Sequence, residues 1–300
     1  MKNITLIIFS LISFNLSAQT NESVDYASPK EYELGGIIVE GTAGNTGIGL
    51  GLVGNSLGYK TLIVMPETQS QEKKDALRLI GCELKLVPAL PYSNPGNYIR
   101  QSQQIAEDLS KTHENGVLWA NQFDNVANQM SHYNSTGPEI WEQTDGKVDA
   151  FTCAVGTGGT LSGTGLFLKE KNKKIKIWGI DTYGSVFKKF HETGIFDKNE
   201  IYPYSTEGIG EDIIPKNVDF SLIDFFEKVN DKDAAIYTRK LALDEGIFAG
   251  NSCGAAIKGL IQLKGNFTSK DVIVVLLHDS GSRYLAKIYN DEWMKSKKFI

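Results

Sequence analysis

The feature that most constrains the fold is a repeated alternation of short apolar runs with longer, charged segments of helical spacing. The runs that predict strands are Ile37–Val39, Thr61–Met65, Glu83–Val87, Val117–Trp119, Ala150–Val155, Ile175–Ile180 and Val272–Leu277. The segments that predict helices are Gln71–Ile80, Tyr98–Lys111, a stretch after Asn125, Leu161–Lys171, Asp231–Glu245 and Gly254–Leu263. Because strands that alternate with helices form parallel sheets covered on both faces, the pattern predicts an α/β protein with ligand sites at the carboxyl ends of strands.

Length and composition are those of an ordinary globular protein. The 300 residues suffice for one large domain or two modest ones, and 41% hydrophobic with 22% charged residues is typical of this class. A net charge of -5, without basic blocks interleaved with aromatics, indicates no nucleic-acid partner. The polar stretch Asp145-Gly146-Lys147 predicts a boundary between a smaller domain, 37–145, and a larger one, 146–300.

Histidine and cysteine residues are scattered along the chain and show no metal-ligand spacing. The histidines are His113, His132, His191 and His278, and the cysteines are Cys82, Cys153 and Cys253. We therefore interpret these residues as core or surface positions, and the sequence predicts no metal site.

The N-terminus differs in character from everything after it. Lys2 precedes a mostly apolar run, Ile4–Ile12, and a small-residue stretch around Ala18 follows. This pattern predicts a signal peptide over residues 1–19 and export to the periplasm or the medium. The apolar run is too short to cross a bilayer, so the mature chain is expected to have no membrane span. The alternative is a stray N-terminus on a cytoplasmic protein, which the odd number of cysteines favours.

A glycine-containing turn, Glu40-Gly41-Thr42-Ala43-Gly44-Asn45-Thr46-Gly47, follows the first predicted strand and precedes a helical stretch. The N–H groups of the first helical turn, the helix dipole, and the hydroxyls of Thr42 and Thr46 can converge there on a carboxylate or a phosphate. The alternative is a connecting loop whose glycines serve turn geometry alone.

A second glycine turn, Gly156-Thr157-Gly158-Gly159-Thr160, lies between another predicted strand and helix. Glycines let the backbone approach a ligand closely, successive N–H groups form an anion nest, and the threonine hydroxyls add donors. The turn therefore predicts a phosphate-monoester site, and the alternative is a turn chosen only for packing.

One glycine pattern also matches dinucleotide binding. Gly49, Gly51 and Gly54 have the G-x-G-x-x-G spacing, and Glu67 follows a strand further on. That fingerprint places its first glycine at a strand end, whereas the strand here ends near Glu40. We therefore expect these glycines inside a helix, where they allow close packing, and a nicotinamide-dependent enzyme is the alternative.

Several segments together resemble the cysteine synthase and cystathionine β-synthase family. These segments are Val39–Gly47, Asn121–Asn125, Thr136–Trp141, Gly156–Thr160, Glu207–Gly210 and His278–Tyr284. The resemblance runs in unbroken order from about Ile37 to Ile300. The first half of the sequence is more similar to cysteine synthase. The sequence from about Lys169 onward is more similar to bacterial cystathionine β-synthases.

The resemblance implies a fold, a cofactor and a set of site residues. Family members are pyridoxal-phosphate enzymes of fold type II, similar to the tryptophan synthase β-subunit, with two three-layer αβα domains built on mostly parallel sheets. The resemblance implies that Gly156–Thr160 hold the cofactor phosphate, that Asn45 hydrogen-bonds the ring hydroxyl oxygen and that Ser280 faces the pyridine nitrogen. The residues implied to frame the substrate carboxylate are Thr42, Ala43, Thr46 and Gln122.

The implied reaction is a β-replacement on a small amino acid. O-acetylserine or serine loses its β-substituent, and sulfide or homocysteine then adds, giving cysteine or cystathionine. A neutral hydroxyl at Ser280 makes the ring a weaker electron sink, which favours β-elimination. Cysteine synthases usually carry serine at the position of Ala43, so substrate binding is expected to weaken here by about 1 kcal/mol. The family also implies a homodimer.

The chain departs from the family before Ile37. Family members carry a lysine in an S-V-K-D-R-like motif well before the residue that matches Asn45, but here Ser23-Val24 is followed by Asp25. That lysine forms the Schiff base with the cofactor and moves the α-proton, so the catalytic residues are unknown and the fold is expected to be N-terminally incomplete. Two hypotheses follow: an enzyme whose lysine segment is missing from this sequence, or a catalytically inactive member that binds pyridoxal phosphate or an amino acid.

Overall fold

The computed structural model describes residues 7–10 and 34–300. The described chain forms two compact units. The N-terminal unit comprises residues 34–69 and 73–121, and the C-terminal unit comprises residues 70–72 and 122–300. A short strand, β1 (Ile7–Ser10), belongs to the sheet of the C-terminal unit. The rest of the predicted signal peptide, 1–19, lies outside the described residues.

The N-terminal unit is built on a four-stranded sheet. Its strands are β2 (Ile37–Gly41), β3 (Lys60–Pro66), β4 (Glu83–Val87) and β5 (Val117–Trp119), in the order β4-β3-β2-β5. Its helices are α1 (Asn45–Ser56), α2 (Gln71–Leu79) and α3 (Tyr98–Leu109). All pairs in this sheet are parallel, and Val39 of β2 lies between Leu62 of β3 and Trp119 of β5.

Glycines in α1 let this helix pack closely on its neighbours. A Cβ at the buried Gly51 would lie 2.9 Å from Ile80 Cδ1, and one at the buried Gly54 would lie 2.9 Å from Thr61 Oγ1. Gly49 has open space around it within the described part of the chain. The G-x-G-x-x-G match therefore falls inside a helix, as predicted, and two of its glycines serve packing.

The C-terminal unit is built on a five-stranded sheet. Its further strands are β6 (Ala150–Ala154), β7 (Lys176–Thr182), β8 (Phe225–Val229) and β9 (Ile273–Leu277), in the order β1-β9-β6-β7-β8. Its helices are α4 (Ala127–Asn134), α5 (Thr136–Gln143), α6 (Gly159–Lys171), α7 (Phe187–Thr193), α8 (Asp231–Glu245), α9 (Asn251–Gln262) and α10 (Asp291–Ser296). β6 pairs in parallel with β7 and β9, and β7 pairs in parallel with β8.

Strands β6 and β9 form the buried centre of this sheet. All residues of both strands are buried. Because successive side chains of a strand point to opposite faces, Val274 and Leu276 pack into a cluster with α5, α6 and α7. Ile273 and Val275 pack into a second cluster with α8 and α9. Helices therefore cover both faces, and the predicted α/β architecture is confirmed.

Strand β8 was not predicted, because its sequence mixes aromatic and charged residues. Lys228 is 8% exposed, and its Nζ donates to the Ser185 carbonyl at 2.8 Å and to Glu200 Oε2 at 2.6 Å. Glu227 accepts from Lys188 Nζ at 3.0 Å. These partners compensate charges that otherwise oppose burial, so a strand forms without a continuous apolar run. Helices α7 and α10 were also not predicted.

The division between the units falls between Asn121 and Gln122, whereas the sequence predicted a boundary near Asp145. Helices α4 and α5 belong to the C-terminal unit, where the Tyr133 ring contacts the Phe167 ring of α6 at a centroid distance of 5.7 Å. The Asp145-Gly146-Lys147 stretch is a turn inside this unit. Among the described helices, none combines the length and the apolar character that crossing a membrane requires.

Candidate active site

The Gly156–Thr160 loop joins β6 to α6 at the carboxyl end of the buried strand. Gly158 caps the helix with φ of 88°, a conformation that favours glycine. A Cβ at Gly158 would lie 2.8 Å from Val218 Cα and 2.9 Å from Val218 N. Backbone strain and a backbone clash therefore both require glycine here.

The loop brings several hydrogen-bond donors together at the start of α6. The first N–H groups of a helix have no acceptor within the helix, no side chain caps this one, and its first turn carries no acidic residue. The Thr157 and Thr160 hydroxyls also lie at the start of α6. The helix dipole adds partial positive charge, so the arrangement fits an anion with several acceptor oxygens, such as a phosphate monoester.

A second glycine segment crosses the end of β6. The Gly210 N–H donates to the Val155 carbonyl at 2.7 Å, and Gly210 has φ of 71°. A Cβ at Gly156 would lie 3.2 Å from the Gly208 carbonyl oxygen. Glycine at these positions lets the two segments approach closely, so the Glu207–Gly210 stretch flanks the loop at the strand end.

Ser280 lies at the same edge of the sheet, because it follows β9 and β9 is parallel to β6. Its side chain accepts a hydrogen bond from the Ser282 N–H at 3.3 Å and lies 3.0 Å from Ser282 Oγ. The neighbouring Asp279 accepts from the Tyr284 hydroxyl at 2.7 Å. Burial raises the pKa of Tyr284 well above its ordinary value, so this phenol stays a donor. Ser280 itself offers a neutral hydroxyl.

Two histidines in this unit have strongly lowered pKa values. Burial, and secondly the nearby His278, lowers the pKa of His132 to about 4. Burial likewise lowers the pKa of His278 to about 4, against a smaller opposing effect of Asp279. Both imidazoles are therefore neutral at pH 7. His132 Nδ1 lies 2.9 Å from Thr136 Oγ1, and its Nε2 lies 3.1 Å from Thr160 Oγ1.

The backbone at Gln122 is held by two asparagine side chains. Asn217, fully buried, donates from Nδ2 to the Gln122 and Phe123 carbonyls at 2.9 Å and to the Asn125 carbonyl at 3.0 Å. Asn128 Nδ2 donates to the Gln122 carbonyl at 2.8 Å. Gln122 is thereby fixed within the C-terminal unit.

The Thr42–Thr46 loop lies in the N-terminal unit, between β2 and α1. Gly44 caps α1 with φ of 134°, and neither a capping side chain nor an acidic residue in the first turn is present at this helix. Thr42 is 3% exposed, and its Oγ1 accepts from the Gly44 N–H at 3.1 Å. Asn45 is exposed, and Ala43 and Thr46 are partly exposed. This helix start, like that of α6, suits an anion.

A buried lysine packs under the same loop. Lys73 of α2 is 1% exposed, and a Cβ at Gly44 would lie 2.6 Å from Lys73 Cδ and 3.2 Å from its Cγ. Only glycine therefore fits between the loop backbone and this side chain. Lys73 was not predicted from the sequence, because a lysine within a charged helix is ordinarily solvated.

The predicted site residues are divided between the two units. The C-terminal unit brings Gly156–Thr160 and Ser280 to one sheet edge and also contains Gln122. The N-terminal unit contains Thr42, Ala43, Asn45 and Thr46. The polar partners Asn128, His132 and Asn217 were not predicted. The sequence does show that Asn128 and His132 are four residues apart, a spacing that puts them on one face of α4.

Comparison with known proteins shows the family to which this chain is similar. The family model described as "Pyridoxal-phosphate dependent enzyme" matches residues 16–279. Cysteine synthase 1 of Neurospora crassa is 40% identical over 269 residues, which cover 89% of this chain and 70% of that protein. Cystathionine beta-synthase of Oryctolagus cuniculus is 36% identical over 267 residues, which cover 89% of this chain and 47% of that protein.

A solved structure gives the same result for the fold. The hydrogen sulfide-producing enzyme from Fusobacterium nucleatum has a TM-score of 0.74 and 35% sequence identity, with 84% of this chain and 81% of that chain covered. The fold is thus that of pyridoxal-phosphate enzymes of fold type II, as the sequence predicted. Against the cystathionine beta-synthase, by contrast, the chain spans about half of the relative's length, 47%. On these matches, the chain belongs to the pyridoxal-phosphate-dependent enzyme family, with cysteine synthases and cystathionine beta-synthases among its relatives.

Proposed function

We propose that this chain binds the phosphate of pyridoxal phosphate with Gly156–Thr160. The observation that carries the proposal is the start of α6, where the first N–H groups of the helix, two hydroxyls and a left-handed Gly158 form a cradle that a Cβ would fill. When bound, the cofactor supplies an electron-withdrawing ring that makes the substrate's α-proton and β-substituent easier to remove. Ser280, as a neutral hydroxyl at the same sheet edge, is the residue that we assign to the pyridine nitrogen.

We further propose that the Thr42–Thr46 loop binds the substrate carboxylate. Support comes from the helix dipole at the start of α1 and from the positions of Asn45 and Thr46 at its first turn. Asn45 is also assigned to the ring hydroxyl oxygen, and Gln122 to the substrate carboxylate, as the sequence predicted. Ala43 offers no hydroxyl where cysteine synthases usually have serine.

The reaction that these assignments support is β-replacement on a small amino acid, in cysteine biosynthesis or transsulfuration. O-acetylserine or serine is the donor, and sulfide or homocysteine is the acceptor. The relatives include both a cysteine synthase and a cystathionine beta-synthase, so the transferase and the lyase type of reaction both stand as proposals. Export directed by residues 1–19, its cytoplasmic alternative and a homodimer stay predictions from the sequence.

A second candidate function is binding without turnover. It rests on one observation, the aspartate that follows Ser23-Val24 where the family motif has lysine. In this case the chain retains pyridoxal phosphate or an amino acid as a sensor or as a partner of another protein. Ligand binding without product formation would identify it.

Replacing Gly158 by alanine is expected to lower the affinity for pyridoxal phosphate at least about ten-fold. The new Cβ meets the Val218 backbone, and the left-handed conformation becomes strained, so the loop cannot keep its shape. Gly194→Ala is the matched control, because Gly194 also has positive φ, 70°, but its Cβ would meet nothing within 4 Å among the described residues. Absorbance titration with the cofactor measures both variants, and equal affinities would disprove the cradle.

Changing Ala43 to serine is expected to tighten amino-acid binding by about five-fold, because it restores one hydroxyl donor. Thr42→Ala, Asn45→Ala and Thr46→Ala are expected to weaken binding by a similar factor each. Pyridoxal-phosphate affinity should change little in the Thr42 and Thr46 variants, since these residues are not assigned to the cofactor, whereas Asn45→Ala should also weaken it through the lost contact with the ring hydroxyl oxygen. Calorimetric titration with O-acetylserine measures the effect, and Ser56→Ala at the other end of α1 is the control. A loss confined to phosphate affinity would contradict the assignment.

A further inference from the structure

Helix α4 presents two polar side chains to the phosphate loop. Asn128 and His132 are four residues apart, so they lie on the same face of the helix. Asn128 Nδ2 lies 3.0 Å from Thr157 Oγ1, and His132 Nε2 lies 3.1 Å from Thr160 Oγ1. Each hydroxyl of the loop therefore has its own partner on α4.

The direction of the Asn128 hydrogen bond is fixed by its second partner. The same Nδ2 lies 2.8 Å from the Gln122 carbonyl oxygen, which can only accept, so the side-chain nitrogen of Asn128 donates to both oxygens. Thr157 Oγ1 thus accepts from Asn128, and it also lies 3.4 Å from the Gly159 N–H. With these donors on its oxygen, the hydroxyl can direct its own hydrogen to a third group.

The His132 ring can act in the same way on Thr160. Burial keeps the imidazole neutral at pH 7, so it has one N–H and one acceptor nitrogen. With hydrogen on Nε2, the ring donates to Thr160 and accepts from the Thr136 hydroxyl at Nδ1. Thr160 then also has its hydroxyl hydrogen available for an anion.

Close packing of α4 on α6 keeps these partners in place. A Cβ at Gly159 would overlap the Asn128 carboxamide, 2.8 Å from its Nδ2. A Cβ at Gly163 would lie 3.0 Å from His132 Cβ. A Cβ at Gly163 would also overlap the Gln129 carbonyl oxygen, so the two glycines of α6 let both the backbone of α4 and the Asn128 and His132 side chains approach closely.

We propose that Asn128 and His132 are positioning residues that turn the hydroxyl hydrogens of Thr157 and Thr160 toward the phosphate of bound pyridoxal phosphate. The inference rests on the proposed cofactor site and deepens it. Asn128 has a second effect, since it also holds the Gln122 backbone together with Asn217. One side chain thereby connects the phosphate loop to a residue assigned to the substrate carboxylate.

The test compares the affinities for pyridoxal phosphate and for pyridoxal, which lacks the phosphate. Asn128→Ala is expected to weaken pyridoxal-phosphate binding by about five-fold and to leave pyridoxal binding unchanged. Asn128→Asp is expected to lower the affinity for pyridoxal phosphate by more than about ten-fold, because a carboxylate accepts the hydroxyl hydrogen of Thr157 and repels the phosphate. His132→Leu is expected to resemble Asn128→Ala, and His132→Gln, which keeps a donor, to recover part of the loss.

Ser131→Ala is the matched control, because its hydroxyl bonds only the Asn128 carbonyl of its own helix, at 2.7 Å, among the contacts described. Equal losses for both ligands, or no loss in Asn128→Ala and Asn128→Asp, would overturn the inference. The Gly158→Ala variant separates the two proposals. If that variant loses affinity while the Asn128 variants do not, the cradle stands and the positioning role fails. If Gly158→Ala also keeps its affinity, the proposed cofactor site itself fails.

Discussion

Purified protein of this sequence, given pyridoxal phosphate, O-acetylserine and sulfide, is expected to form cysteine at or near the uncatalysed rate. In family members, a lysine before the first glycine turn binds the cofactor and moves the α-proton of the substrate. Here Asp25 follows Ser23-Val24, and no lysine occupies that place. General-base catalysis alone contributes about a hundred- to ten-thousand-fold, and the loss of cofactor exchange adds to that.

The complementary experiment restores the missing group. A family-like segment with its lysine, placed before Ile37, is expected to recover turnover, whereas the same segment with alanine in place of that lysine is not. Lys30→Ala in the unchanged chain is the further control, because Lys30 lies 15 residues before Asn45. Strong activity of the unchanged chain that Lys30→Ala abolishes would show that Lys30 has taken over the role.

The strands that sequence predicted well are those whose apolar residues are continuous, as in β5 and β9, or alternate with charged residues, as in β4. β9 is an uninterrupted apolar run because helices cover both of its faces, and its predicted and observed bounds differ by one residue, Val272. β4 and β5 agree with the predicted bounds. β8 could not be predicted in this way, because the partners of the buried Lys228 ammonium group include Ser185 and Glu200, which are distant in sequence.

The candidate site shows the same division. Glycine turns at strand ends are visible in the sequence, because only glycine readily adopts the backbone conformation of Gly44 and Gly158. Asn128 and His132 look like ordinary polar residues of an exposed helix. Their contacts with Thr157 and Thr160 arise from the packing of α4 on α6, across 29 and 28 positions of sequence. Local pattern carries no information about such pairs, so they appear only in the folded unit.

Acidification from pH 7 to pH 4 is expected to destabilise the C-terminal unit through His132 and His278. Both have pKa values of about 4 in the folded state, lowered from 6.5 chiefly by burial. Between these values the unfolded chain binds protons that the folded chain does not. The free energy of unfolding therefore falls as pH falls below 6.5, and the full contribution is present above that pH. By pH 4, the contribution of each histidine to the free energy of unfolding is expected to have fallen by about 3 kcal/mol.

Buried carboxyl groups act with the opposite sign, so the histidine contribution must be measured as a difference. Burial raises the pKa values of Glu211 and Asp181, and these groups therefore favour the folded state as pH falls. Urea unfolding at pH 7 and pH 4 should show that His132→Gln and His278→Gln each remove part of the acid sensitivity, and that the double variant removes most of it. His191→Gln, whose ring stacks on Phe220, is the control. The control is expected to keep the acid sensitivity of the unchanged protein. If the two single variants and the double variant kept it as well, the burial of two neutral histidines could not be its cause.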